Sequence, residues 1–145
     1  MYKLICFIIL IFSCRICSAQ NLVYNGDFEQ FSNCPFSYGQ FDSLLFWRNP
    51  TGVTGGGSPD YFNTCTGSSG IGVPYNYWGY QYPRSGQGYC GLNLIYYTIS
   101  NFREYAEGQL TSPLTANSNY VFEMYLNMAN ASQNATDAFG GLCIN

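Results

Sequence analysis

The sequence predicts an all-β fold, an antiparallel β-sandwich. Three observations carry that reading. From Tyr120 the residues alternate strictly, with Tyr120, Phe122, Met124, Leu126 and Met128 on one side and Val121, Glu123, Tyr125 and Asn127 on the other. A period of two is what a half-buried strand requires. Residues 109–114 form a second strand candidate closed by Pro113, and Thr115-Ala116-Asn117-Ser118-Asn119 supplies turn chemistry between the two. No stretch shows a convincing helix, an internal repeat or a heptad pattern. The expected hairpin organises the chain, with Tyr120, Phe122, Met124 and Leu126 in the core and Glu123 and Asn127 outside.

Taken in order, residues 1–19 read as a secretory signal peptide. Met1-Tyr2-Lys3 is a short positive start, residues 4–12 are apolar, and Cys17-Ser18-Ala19 offers small residues before Gln20. The apolar run is shorter than the about 20 residues a membrane span needs. Residues 20–145 then form one domain. Residues 20–29 are a first strand broken by Asn25-Gly26, and residues 44–47 a short apolar one. Residues 49–59, rich in Gly, Thr and Pro, are a loop that includes Gly55-Gly56-Gly57. Residues 59–63 return to aromatic character, residues 75–82 (YNYWGYQY) are the densest aromatic cluster, and residues 88–97 are a good strand. Residues 129–137 form a polar loop, and residues 138–144 start a last strand with nothing after it for pairing. An unpaired edge is an aggregation liability, so the sandwich is expected to be C-terminally incomplete, with downstream domains in a longer chain.

Composition narrows function mainly by exclusion. Hydrophobic residues are 47% and aromatics 19%, enough for a packed core and against disorder. After the leader no lysine remains, and Arg48, Arg84 and Arg103 face eight carboxylates, giving 3 − 8 = −5. Such a surface repels phosphate backbones, which argues against nucleic acid and anionic membrane. There is no histidine, which removes Ser-His-Asp and Cys-His catalysis and the commonest zinc ligand. Carboxylate-pair chemistry survives, with Asp60, Glu104 and Glu107 as candidates, but no spacing sets two of them together. Isolated surface charges explain them better, so no enzyme is expected. Of the cysteines left after the leader, Cys34 and Cys65 lie in loop-like sequence and are paired here as a disulfide. Cys90 and Cys143 sit in strand-like runs and fit buried thiols.

NLVYNGDFE directly after the leader, PDYFNTC, VPYNYWGYQYPRSGQGYCG, REYAEGQLTSPL and SPLTANSNYVFEMYLNMA appear in that order. Together they resemble carbohydrate-binding-type jelly rolls of the galactose-binding-like superfamily. They are closest to N-terminal modules of exported surface proteins in gliding-type Gram-negative bacteria, some of which carry an OmpA-like domain. The resemblance implies a secreted or cell-surface location in a bacterial envelope. It also implies a structural calcium near the first strand, with Glu29 as its acidic ligand. In that context the Asn130-Ala131-Ser132 and Asn134-Ala135-Thr136 glycosylation patterns are chance matches in a polar loop.

Sugar binding needs flat apolar faces for pyranose C–H groups and polar groups for hydroxyls. Tyr75, Tyr77, Trp78 and Tyr80 interleave with Asn76, Gln81 and Arg84, which is that chemistry. These seven are the candidate ligand residues for an extracellular glycan. The competing reading is that the aromatics close one end of the core, since Tyr and Trp also favour partly wet packing positions. Trp47, following Leu44-Leu45-Phe46, belongs to the core. The chain is thus expected to be a non-catalytic exported binding module, the alternative being a structural or adhesion module of a larger envelope protein.

Overall fold

The computed structural model describes residues 20–51, 57–94 and 100–128, together with the backbone of residues 141–144. Residues 1–19, 52–56, 95–99, 129–140 and 145 lie outside the described residues, and with them the expected leader, part of the triglycine and both glycosylation patterns. Among the described residues there are eight short strands. They are β1 Trp47–Arg48, β2 Asp60–Asn63, β3 Tyr75–Asn76, β4 Gly79–Tyr80, β5 Gly88–Asn93, β6 Glu107–Gly108, β7 Leu126–Met128 and β8 Gly141–Ile144. One 3-10 turn spans Phe41–Ser43. Strands β2, β5, β8 and β7 lie in that order in one antiparallel sheet, while β1–β6 and β3–β4 are separate two-stranded ribbons. The expectation of an all-β, antiparallel fold holds at that level. The sheets are small, and among the described residues they do not close into a sandwich.

The centre of the molecule is the β2–β5 pair. Tyr61 stands opposite Cys90 and Phe62 opposite Tyr89. Successive side chains leave a strand on opposite faces, so this pair has two apolar faces to bury. Tyr61 and Cys90 pack with Phe28, Phe41 and Leu44, edged by Phe31, Trp47 and Ala106. Phe62 and Tyr89 pack with Ile71, edged by Val73 and Trp78, and their rings stack at 5.0 Å. All four residues of β2 are buried. A strand covered on both faces has no polar side to show, so DYFN carries no apolar–polar alternation. Strand β5 answers the bulk of β2 with glycines. A Cβ on Gly91 would lie 2.6 Å from the Phe62 ring, and one on Gly88 would lie 2.8 Å from the Asn63 amide.

The expected N-terminal strand is a turn instead, and its β-pairing is confined to an isolated bridge between Val23 and Leu110. Asn25 explains why. Its φ of 50° is a left-handed conformation that Asn tolerates better than other side-chain-bearing residues. Its Oδ1 accepts the N–H of Gln30 at 2.8 Å, and its Nδ2 donates to the carbonyls of Gln30 (2.8 Å) and Leu45 (2.9 Å). Its carbonyl accepts the N–H of Phe28 and the indole N–H of Trp47. One buried amide therefore closes the turn and ties it to the residues before β1. Phe28 next to it also holds a positive φ, of 60°, and its carbonyl accepts the Tyr61 hydroxyl at 2.9 Å. Trp47 lies against Phe28 and Phe41, as expected of a core residue.

Cys34 and Cys65 are joined, with Cα atoms 6.0 Å apart and a sequence separation of 31. Closing a loop of that length removes about 3–4 kcal/mol of chain entropy from the unfolded state. Cys90 is fully buried, and the Cys143 side chain lies outside the described residues.

Two further expectations need correction. The hairpin of residues 109–128 does not form as drawn. Leu110 bridges to Val23 and not to the segment after the turn, strand pairing resumes only at Leu126, and Tyr120, Phe122, Met124 and Leu126 are all exposed, Phe122 by 76%. Alternation describes a pleated segment but not what covers it, and among the described residues no second layer lies over this one. The last strand, expected to be an unpaired edge, is an inner strand: β8 pairs with β5 on one side and β7 on the other.

Phe62→Ala is therefore expected to cost about 3–5 kcal/mol, while Phe122→Ala costs under about 1 kcal/mol. Urea unfolding of both variants checks this, and equal losses would restore the hairpin as the core. Asn25→Ala should cost about 2–4 kcal/mol, by leaving buried backbone groups unpaired and straining φ. Asn25→Gly relieves only the strain, so it is expected to recover roughly 1 kcal/mol of that loss.

Candidate functional site

The hairpin β3–β4 carries most of the expected ligand residues, and it divides them into two sets. Tyr75 pairs with Tyr80 across the hairpin and Asn76 with Gly79. Asn76 is buried, and its Nδ2 donates to the Tyr89 hydroxyl (2.5 Å) and the Gly72 carbonyl (3.3 Å). Its Oδ1 accepts the N–H of Trp78. Trp78 is half-buried against the Phe62 cluster, with its indole N–H donating to Asp60 at 3.0 Å. These two side chains hold the hairpin down. The tyrosines point the other way, and Tyr75 is 70% exposed.

The exposed rings form a row. Tyr75 meets Tyr80 at 4.7 Å and Tyr80 meets Tyr82 at 5.4 Å, both edge-on. A hydrogen bond with Tyr82 raises the Tyr80 phenol above its ordinary value. Tyr77 lies apart from this row, edge-on to Trp78 and to Tyr38. Beyond Tyr82 the surface dips into a cleft of about 340 Å³, lined by Gln81, Tyr82, Pro83, Arg84, Tyr89, Tyr125, Leu126 and Asn127. The Arg84 guanidinium lies 3.5 Å from the centre of the Tyr125 ring and donates to its hydroxyl at 2.8 Å. That hydroxyl donates in turn to Glu123, which raises the Tyr125 phenol. Asn127 donates to the Gln81 amide oxygen.

Of the seven expected ligand residues, then, Tyr75, Tyr80, Gln81 and Arg84 face one continuous surface. Tyr77 is exposed on a neighbouring one, and Asn76 and Trp78 face inward. Tyr125 and Asn127 complete the cleft and were not among the expected site residues. Their signal was present in the alternation, which places both on the face opposite the apolar one. A second cleft, of about 370 Å³, is lined by Phe46, Trp47, Arg48, Glu107 and Gln109.

The carboxylates are employed structurally. Glu29 accepts the N–H groups of Gln87 (2.7 Å) and Gly88 (2.9 Å) through Oε1, anchoring the N-terminal turn to the start of β5. A Cβ on Gly86 would lie 2.3 Å from that oxygen. Among the described residues no group of three acidic, Cys or His side chains gathers around Glu29 or elsewhere. Calcium takes six to eight oxygens, and Glu29 brings one carboxylate whose Oε1 already accepts two N–H groups. Glu107 is bound to Arg48 at 2.6 Å on the surface, a pair whose exposure makes it worth little. Asp60 and Glu104 are buried. Asp60 accepts the Gly39 N–H (2.6 Å) and the Trp78 indole, and Glu104 accepts the N–H groups of Ser58 (3.1 Å) and Asn93 (2.6 Å).

No family model, curated protein or solved structure matches this chain. No helix among the described residues is long and apolar enough to cross a membrane.

Burial raises both Asp60 and Glu104 above their ordinary values of 3.8 and 4.5, against the opposing pull of their N–H donors. Between each ordinary value and its raised one, the folded chain holds more protons than the unfolded chain. The stability these groups contribute is thus complete below that window and falls as pH rises through it. Asp60→Asn removes Asp60's share, so its unfolding free energy should fall less steeply from about pH 4 upward. Parallel denaturant titrations measure the two slopes. Identical slopes would mean that Asp60 titrates alike in both states.

Proposed function

We propose that this chain is an exported, non-catalytic binding module for extracellular or cell-surface glycan. In this reading it is a galactose-binding-like β-sandwich of a bacterial envelope, working beside downstream domains. The observation that carries the reading is the row Tyr75–Tyr80–Tyr82 running into a cleft with amide and guanidinium walls. Pyranose C–H faces stack on such rings while rim hydroxyls find Gln81 and Arg84. Exposed aromatic rings joined to a few convergent polar groups are the usual form of a sugar site. The surface charge, 3 − 8 = −5 once the leader is removed, supports a neutral ligand over a phosphate-bearing one.

The inward roles of Asn76 and Trp78 favour the second reading, a structural or adhesion module in which the hairpin caps the Phe62 cluster. The two readings assign different residues. A tyrosine platform depends on Tyr75 and Tyr80, whereas a cap depends on Trp78.

Affinity electrophoresis through soluble β-glucan, β-mannan, β-galactan and polygalacturonate, beside thermal unfolding, separates them. Tyr75→Ala combined with Tyr80→Ala should abolish retention and leave the melting temperature within about 2 °C. Trp78→Ala should cost about 2–4 kcal/mol by opening the packing under the hairpin. No retention of the wild-type chain by any of the four polysaccharides leaves the structural reading standing.

A further inference from the structure

We propose that the cleft between the β3–β4 hairpin and residues 125–127 is an extension subsite for a neutral oligosaccharide whose first rings lie on the Tyr75–Tyr80 platform. The site then takes a chain of several sugars, not a terminal one. This rests on the glycan reading above and adds to it a length and a charge class.

The platform and the cleft are continuous. Tyr82 belongs to both parts, since its ring is 5.4 Å from that of Tyr80 and it also lines the cleft. A chain stacked on Tyr80 therefore meets the cleft as it continues. The cleft's volume of about 340 Å³ lies within the range of small-ligand sites, about 300–1,000 Å³.

The cleft also mixes donors with acceptors. Among the described residues Arg84 spends one of its N–H groups on Tyr125, and a guanidinium has five. Asn127 donates through Nδ2 to Gln81, and its carbonyl oxygen is an acceptor. A hydroxyl both donates and accepts, so it uses such a pair fully. A carboxylate or sulfate only accepts.

Charge points the same way. Arg84, Tyr125 and Glu123 form one hydrogen-bonded chain, so the guanidinium shares its surroundings with a carboxylate. An anionic sugar would be drawn to Arg84 but repelled by Glu123. A neutral chain does not meet that repulsion. Tyr125 also fixes the guanidinium plane by lying under it, which limits the side-chain ordering that binding must impose.

The test measures dissociation constants for the two-unit and six-unit oligosaccharides of whichever neutral polysaccharide retains the wild-type chain. The six-unit chain should bind about tenfold tighter or better. Tyr125→Ala combined with Asn127→Ala, both at exposed positions, should narrow that ratio to within about twofold. Equal affinities in the wild type, or an unchanged ratio in the variant, overturn the extension while leaving the tyrosine platform in place. Retention by polygalacturonate alone overturns the neutral class. Retention by none of the four removes the glycan reading itself, and the extension with it.

Discussion

The double-sided burial of the β2–β5 pair is the constraint on which the other segments depend. Neither apolar face of this pair can be left in water, so each recruits its own cover. Loops supply it. On one face Phe28 arrives from the N-terminal turn and Phe41 and Leu44 from the 3-10 segment, while Ile71 and Trp78 cover the other. The covers are held by polar ties and by short pairings such as the Phe31–Leu44 bridge, not by long ladders. Tyr61 donates to the Phe28 carbonyl and receives the Asn63 amide, and burial drives its phenol well above the usual tyrosine range. Glu29 reaches the first residues of β5. In a domain with such short strands, buried hydrogen bonds between loop and strand replace the ladder contacts that longer strands would make.

The same constraint shapes the proposed site. Asp60 opens β2 and binds Trp78, while Asn76 binds Tyr89 of β5. The hairpin is thus bolted through its second and fourth aromatic-cluster positions to the strands beneath it. What remains above are Tyr75 and Tyr77, then Tyr80 past the turn. The segment YNYW reads outward, inward, outward, inward, and this alternation turns a packing element into a display surface.

Much of this was legible in part only. The disulfide could be read because SNCP and NTCTG are both turn sequences in a chain with an apparent leader. The antiparallel, helix-poor class could be read from strand-length apolar runs broken by Gly, Pro and Asn. The centre could not. DYFN and GYCGLN lack alternation because both of their faces are buried, while residues 120–128 alternate well and are exposed. A periodic pattern measures contrast between faces, and a strand covered twice has none. Asn25 was equally hidden: Asn-Gly signals a turn, but nothing local shows that its amide will reach Leu45, twenty residues on. The aromatic cluster was legible as a site candidate, yet not which of its rings would be spent on packing.

Tyrosine, not tryptophan or phenylalanine, makes up the exposed row, and there is a physical reason for that choice. A ring left in water exposes apolar area, and contiguous apolar patches promote unwanted association. Tyrosine keeps the flat face and adds a hydroxyl that stays hydrated. The edge-on contacts between Tyr75, Tyr80 and Tyr82 restrict each ring before any ligand arrives. Ordering side chains is one of the main costs of binding, and rings already braced against one another lose less freedom. On the proposed reading, the row is therefore stable enough to remain uncovered and rigid enough to be covered at little entropic loss.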